Sequence, residues 1–193
     1  MKIVRIVLKT LVWLLVIGTV VFIGQKLYAM IQREYLLPLK YERLVEQYAA
    51  EYDLEESLVY AVMKNESNFD PKAVSRAGAV GLMQIMPSTY EYLVTLTGEE
   101  YDPSQLKNPE TSIRYGCLQL SRMKNRFGDG PEMIAAYNAG EGKVAGWLQD
   151  ASLSKNGRLT EIPIEETREY VERVQNTKEQ YISLYGEEKE WKQ

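Results

Sequence analysis

No histidine occurs anywhere in this chain. Without an imidazole there is no Ser-His-Asp triad, no Cys-His peptidase pair and no His-ligated hydrolytic zinc within it. Cysteine occurs once, at Cys117, so no intrachain disulfide can form. Cys117 lies in the helical stretch Ile113-Arg114-Tyr115-Gly116-Cys117-Leu118 and reads as a small core residue rather than a reactive thiol. No cysteine stands close behind the N-terminal apolar run, so a lipoprotein anchor is not expected. Internal repeats, low-complexity tracts and long alternating runs are also absent, leaving a short stretch near Gly81–Ile85 as the strand candidate.

What is present begins with an asymmetry of charge. The chain carries 23 Lys+Arg against 27 Asp+Glu. Residues 1–30 hold four of the basic residues (Lys2, Arg5, Lys9, Lys26) and no acid, so the remainder stands at −8. An acidic remainder does not fit a nucleic-acid binder. It also argues against docking on anionic lipid or wall polymer by overall charge, so any glycan is held by pocket contacts.

The basic residues near the N-terminus precede an uncharged run from Thr10 to Gln25. As helix, that run spans only about 24 Å at ~1.5 Å per residue, short of a ~30 Å hydrocarbon core. Ile6 to Leu8 and Leu27 to Tyr28 complete the span if Lys9 and Lys26 snorkel. A cleaved signal peptide is the competing reading, but no small-x-small site stands between Thr19 and Gln32. The expectation is an uncleaved signal anchor over 1–30, N-terminus cytoplasmic by the excess of basic residues upstream, with the domain outside the cytoplasm. A juxtamembrane linker is expected over 31–40, a catalytic domain over 41–186 and a frayed tail over 187–193. Residues 31–50 read as a helical stalk that Pro38 breaks or starts.

Within the domain the sequence predicts six to eight helices. Asp53 with Glu56 makes an Asp version of the capping box, and Leu54, Leu58, Val59 and Val62 follow at helical spacing. Four residues beyond Val62 the stripe lands on Glu66. A carboxyl there faces the core or a cleft, where burial raises its pKa toward the range a general acid needs. A helix frayed before Glu66, or an arginine paired with it, is the plainer alternative. Ser88-Thr89-Tyr90-Glu91 reads as a capping box for a helix ending at Gly98. Asn108, Pro109 and Gly128 bracket a longer helix. Further helices are expected through Met133–Ala139, around Val144–Leu148 before a polar Ser152–Arg158 loop, and over Glu165–Tyr185.

Several spaced motifs carry a resemblance. Glu66-Ser67, Ser75, Gly78, Gly81-Leu82-Met83-Gln84-Ile85-Met86-Pro87, Ala136-Tyr137-Asn138-Ala139-Gly140 and Ile162-Pro163 with Glu166-Thr167-Arg168-Glu169-Tyr170-Val171 together resemble the soluble lytic transglycosylase family, in its order, over roughly residues 50–185. The resemblance implies a lysozyme-like fold: a mostly α domain around a deep cleft with a small β element, here preceded by one transmembrane helix.

It implies an enzyme that cleaves the β-1,4 bond between N-acetylmuramic acid and N-acetylglucosamine in peptidoglycan and leaves 1,6-anhydro ends. Glu66 is the implied catalytic acid. Ser75, Gln84, Met86, Tyr137, Asn138 and Glu166 are the implied substrate-binding residues. No metal and no cofactor are implied. The partners are peptidoglycan strands and the membrane. Asp70, tied to a turn by Pro71, and Met83 read as structural; Gly78 and Gly81 read as serving the loop's backbone angles. The chain departs from the family at Glu141, where Pro is usual, which bears on loop rigidity. A lysozyme-type hydrolase of the same fold and a non-catalytic glycan-binding scaffold remain the alternatives.

Overall fold

The computed structural model describes residues 2–186 and Lys189. The chain divides between Leu39 and Lys40 into two units. The tail expected over 187–193 lies, Lys189 apart, outside the described residues.

The first unit is helix α1 (Lys2–Ile31) followed by a π-helical turn (Gln32–Leu36). Apolar side chains such as Trp13, Leu15 and Phe22 are exposed on every face. The hydroxyls of Thr10 and Thr19 donate back to the carbonyls of Val7 (2.8 Å) and Leu15 (2.9 Å), which satisfies them without water. By length and composition, the 32 residues Arg5–Leu36 are apolar enough to cross a membrane. The helix thus runs further than the uncharged run suggests, and much of the stretch expected as linker is helical.

The second unit holds α2 (Glu42–Glu51), α3 (Glu56–Ser67), α4 (Pro87–Thr97), a 3-10 turn (Pro103–Lys107), α5 (Pro109–Phe127), α6 (Pro131–Ala139), α7 (Glu141–Gln149), a two-stranded hairpin β1 (Ser154–Lys155) and β2 (Arg158–Leu159), and α8 (Glu165–Tyr185). Its centre is α3, in which every residue from Ser57 to Met63 is buried. Burying a side chain such as Val59, Val62 or Met63 contributes about 1.5–3 kcal/mol each. α3 packs along α8; α6 touches α5, α7 and α8; α2 packs on α5 and α3 through Val45, Tyr48 and Ala49. The C-terminal half of the expected stalk is therefore part of the domain core. Cys117 is buried on α5, and burial pushes its thiol pKa up, as a core residue requires.

Some helix ends follow their sequence signals. The Asn108 side chain accepts the amides of Glu110 (2.9 Å) and Thr111 (3.4 Å), Pro109 opens α5, and Gly128 follows its end. Gly98 closes α4 in the left-handed region.

Others do not. Asp53 does not cap α3: it adopts φ 52°, its carboxylate meets Lys124 at 2.8 Å, and Glu55 precedes the first helical residue with no side-chain cap. A long-range ion pair has taken the group that local chemistry offered to the helix. Nor does Ser88 cap α4, because Pro87 already occupies the first helical position behind Met86.

The β element is also displaced from its expected place. Near Gly81–Ile85 there are only single bridges, Val74 to Val80 and Val80 to Ile85. The paired strands lie in the stretch read as a polar loop, register Ser154 to Leu159 and Lys155 to Arg158. Asn156 (φ 54°) and Gly157 (φ 75°) turn between them, the conformation that Asn-Gly favours in tight hairpins. Buried Glu132 at the start of α6 holds this hairpin, accepting the Leu159 amide (2.9 Å) and pairing with Arg158 (3.2 Å).

Candidate active site

The site is built where α3 ends. Asn68 (φ 50°) and Phe69 (φ 64°) both turn left-handed and break the helix immediately after Glu66-Ser67. Asp70 caps the following turn by accepting the Lys72 amide at 2.8 Å, the structural role read for it.

The chain then folds back so that residues 81–84 lie beside the helix end, and three elements hold that segment. Ser67 of α3 donates to the Leu82 carbonyl (2.8 Å), Ser112 of α5 accepts the Met83 amide (3.2 Å), and Tyr137 of α6 donates to the Met83 carbonyl (2.7 Å). Gly81 has φ 83°, and a β-carbon there would run into the Leu106 carbonyl oxygen and the Ser112 hydroxyl. Gly81 therefore serves more than backbone angle: the loop and α5 approach too closely for a side chain.

Glu66, next to Ser67 at this helix end, is half-buried, and its Oε1 accepts the Tyr170 hydroxyl of α8 at 2.5 Å. Burial pushes its carboxyl from the ordinary 4.5 up to about 7, while the Tyr170 hydrogen bond and the charge of Arg173 pull it partly back. Asp53, Glu99, Asp102 and Asp150 move the opposite way, held down by hydrogen bonds from Lys124, Tyr115, Ser104 and Ser152 respectively. Glu66 can thus hold a proton near neutral pH and also release it.

The other expected residues divide into those on the 68–87 loop and those on the helices facing it. Ser75 is exposed, with its hydroxyl accepting the Ala79 amide at 3.0 Å. Gln84 donates its side-chain amide to the carbonyls of Gly81 (2.9 Å) and Ala73 (3.2 Å), bracing the loop from within. Met86 is 38 % exposed, whereas Met83 is fully buried. Tyr137 spends its hydroxyl on the loop backbone. Asn138 accepts the Thr167 hydroxyl at 2.8 Å, tying the end of α6 to α8. Glu166 is exposed in the first turn of α8 and is not hydrogen-bonded to Glu66.

Glu141 opens α7 and pairs with Arg126 (2.9 Å) and Arg122 (3.7 Å) of α5. Arg122 in turn stacks over Tyr92 of α4 at 4.7 Å. A charge network connects the helices where the usual proline would have stiffened the chain.

Tyr170 stands in the Glu166–Val171 motif, and the sequence alone assigns it no role. It shares a buried face of α8 with Thr167, Val171 and Val174. A tyrosine on an otherwise apolar stripe needs a partner for its hydroxyl, and that requirement is the signal that could have found it. Among the described residues no group of three or more His, Cys, Asp or Glu is placed to hold a metal ion.

A mostly helical domain that holds one near-neutral carboxyl against a Gly-broken loop has the form of a lysozyme-like domain. The family model described as the transglycosylase SLT domain matches residues 43–158, and the chain belongs to that family. It is 37% identical over 142 residues to the soluble lytic murein transglycosylase of Salmonella typhimurium, covering 71% of this chain and 22% of that protein. It is 31% identical over 170 residues to the membrane-bound lytic murein transglycosylase C of Haemophilus ducreyi, covering 75% of this chain and 46% of that one.

Among solved structures it is similar to the 70 kDa soluble lytic transglycosylase of Escherichia coli, with TM-score 0.72 and 33% identity over 85% of this chain and 27% of the other. It is also similar to an inactive Glu-to-Gln mutant of the lytic transglycosylase Slt of Pseudomonas aeruginosa, with TM-score 0.68 and 31% identity over 76% of this chain and 24% of the other. The chain thus spans about a quarter or less of the soluble relatives and under half of the membrane-bound one.

Proposed function

We propose that this protein is a membrane-anchored lytic transglycosylase that cleaves the β-1,4 bond between N-acetylmuramic acid and N-acetylglucosamine in peptidoglycan. The observation that carries the reading is Glu66, half-buried, bonded to Tyr170 and raised to about 7. Protonated Glu66 donates to the glycosidic oxygen as the bond to C1 breaks. The carbonyl oxygen of the muramoyl 2-acetamido group attacks C1, so the substrate supplies the nucleophile and a second carboxylate is unnecessary. Glu66, now a carboxylate, takes the proton from the muramoyl 6-hydroxyl. That oxygen closes on C1, the acetamido group is released, and a 1,6-anhydro end results with Glu66 reprotonated. The scheme uses neither metal nor cofactor.

Ser75 is assigned to the acetamido side of the muramoyl sugar, Gln84 and Met86 to the cleft lining, and Glu166, a second and more distant acid, to sugar binding rather than catalysis. Tyr137 acts through the Met83 carbonyl it holds, and Asn138 through Thr167. The inactivity of the Pseudomonas relative as a Glu-to-Gln mutant fits a reaction resting on one acid.

Membrane-bound relatives and the apolar α1 support anchoring, and the excess of basic residues before the span supports an orientation with the N-terminus in the cytoplasm and the domain outside. Mass spectrometry of products from purified peptidoglycan tests the reaction. Anhydro ends, lighter than reducing ends by one water, are expected. Reducing ends would assign a hydrolase, and glycan binding without products a scaffold.

A further inference from the structure

One edge of α8 carries a cation beside the acid. At about 100° per helical residue, Glu166, Arg173 and Thr177 all fall within about 60° of Tyr170, whose hydroxyl meets Glu66. Thr177 also touches α3: its hydroxyl accepts the Asn65 side-chain amide at 3.1 Å. From Tyr170 to Thr177, α8 therefore runs beside the last turn of α3, and Arg173 stands between the two contacts. Its charge is close enough to pull the pKa of both Glu66 and Tyr170 down.

Arg173 is poorly paired for a guanidinium, whose fork has five N–H donors. Among the described residues its one polar contact is Glu169 Oε2 at 3.5 Å, and the two side chains are 53% and 59% exposed. A pair that open is worth little. Glu172 lies about 200° around the helix from Tyr170 and faces away. Glu66 is uncharged in its donor form. When the proposed reaction begins, the guanidinium thus stands at the site with most of its fork unused.

We propose that Arg173 receives a carboxylate carried on the muramoyl 3-substituent of the bound strand, either the lactyl acid or the peptide attached to it, and so selects acid-bearing strands over neutral glycan. This deepens the transglycosylase reading and rests on it. The guanidinium fork matches a carboxylate through two parallel hydrogen bonds. The scale fits as well. Arg173 is three residues beyond Tyr170, about 4.5 Å along the axis, and the muramoyl C3 is two bonds from the C1 at which Glu66 acts. The chain beyond residue 30 stands at −8, so attraction for an anionic strand has to be local, and Arg173 supplies it.

The test uses the full chain in detergent and three polymers: purified peptidoglycan, the same polymer with its carboxyls converted to amides, and glycan stripped of peptide by an amidase. Sedimentation of Glu66→Gln, with and without Arg173→Gln, reads affinity without cleavage. KM at pH 6, where Glu66 is mostly protonated, reads it in the active enzyme. On native peptidoglycan Arg173→Gln should weaken binding and raise KM roughly five- to ten-fold, with kcat within about two-fold. Amidating the polymer should cost wild type the same factor, and the two changes together should cost no more than either alone. Arg173→Lys, charged but without the fork, should recover part of the loss. Native affinity unchanged by Arg173→Gln, or losses that multiply, would overturn the proposal. On stripped glycan, a surviving dependence on Arg173 assigns the lactyl carboxylate, and its disappearance assigns the peptide's. If wild type cleaves none of the polymers, the transglycosylase reading fails, while sedimentation still decides the carboxylate contact.

Discussion

Replacing the acid by its amide should make the protein more stable, and only away from acidic pH. Folding moves the Glu66 carboxyl from 4.5 to about 7, so the folded state favours the protonated form. The group's contribution to stability is fully present below the unfolded value and is lost as pH rises through the folded one. At ~1.4 kcal/mol per pH unit the loss amounts to about 3 kcal/mol, or roughly 2 kcal/mol after allowance for the solvent that still reaches the side chain. Glu66→Gln has the same size and accepts the Tyr170 hydroxyl through its amide oxygen, but it never ionises. At pH 4 the two proteins should melt together; at pH 8 the variant should melt about 4–8 °C higher, at ~2–4 °C per kcal/mol for a chain of this size. Thermal unfolding in detergent, followed by helical circular dichroism from pH 4 to pH 8, measures it. Curves separated by a constant amount at every pH, or a variant less stable at pH 8, would refute the reasoning that burial strains this carboxylate.

Four further outcomes are expected. Glu66→Gln should abolish cleavage of purified peptidoglycan while sedimentation still shows binding; wild-type clearing rates from the variant would remove Glu66 from the mechanism. Tyr170→Phe removes a hydrogen bond to the charged form worth about 1.5–3 kcal/mol, so the alkaline limb of the pH–rate profile should move up by roughly one to two units, and an unmoved limb would sink that role. Gly81→Ala places a β-carbon against Leu106 and Ser112 at a left-handed φ, and should cost at least ~2 kcal/mol; a melt within 1 °C of wild type would contradict the close approach. A secreted form lacking residues 1–30 should lyse cells more widely than the anchored protein at matched level and confirmed activity, and equal lysis would mean that the tether does not restrict the substrate.

The readable parts of the fold were those whose signals are local. Asn108, Pro109 and Gly128 mark α5 because cap, first turn and stop are satisfied within a few residues of one another. Glu66 was visible because a helical period can be extended by four from Val62. The failures share a cause. Asp53 had the chemistry of a cap, but Lys124, distant in sequence, competes for its carboxylate. The hairpin at 154–159 has two residues per strand, too few to show alternation, and Asn156-Gly157 was its only mark. Tyr170 meets Glu66 across 104 residues, a pairing that no spacing rule reaches. Local periodicity pointed to Glu66 as a carboxyl facing core or cleft, and the resemblance gave it the role of acid; the partner that tunes it came only from packing α3 on α8.

That tuning bears on why a single carboxyl can serve both halves of the proposed reaction. The first half needs a proton on Glu66, and the second needs its carboxylate. At the ordinary value of 4.5, only about one molecule in 300 would be protonated at pH 7, and donation would be starved. With burial unopposed, the carboxylate left after donation would be costly to form, and the group would be a reluctant donor. The Tyr170 hydroxyl and the charge of Arg173 act against burial and bring the balance to about 7, where both forms are populated. In a two-carboxylate glycosidase the two environments are pushed apart so that each group keeps one role. In the proposed reaction one group changes role during the cycle, and the value that suits it lies between the two extremes. Burial raises the carboxyl, and α8, through Tyr170 and Arg173, supplies the correction. The position of one helix against the other therefore sets the acid's strength, which is why a change as small as Tyr170→Phe is expected to appear in the pH dependence.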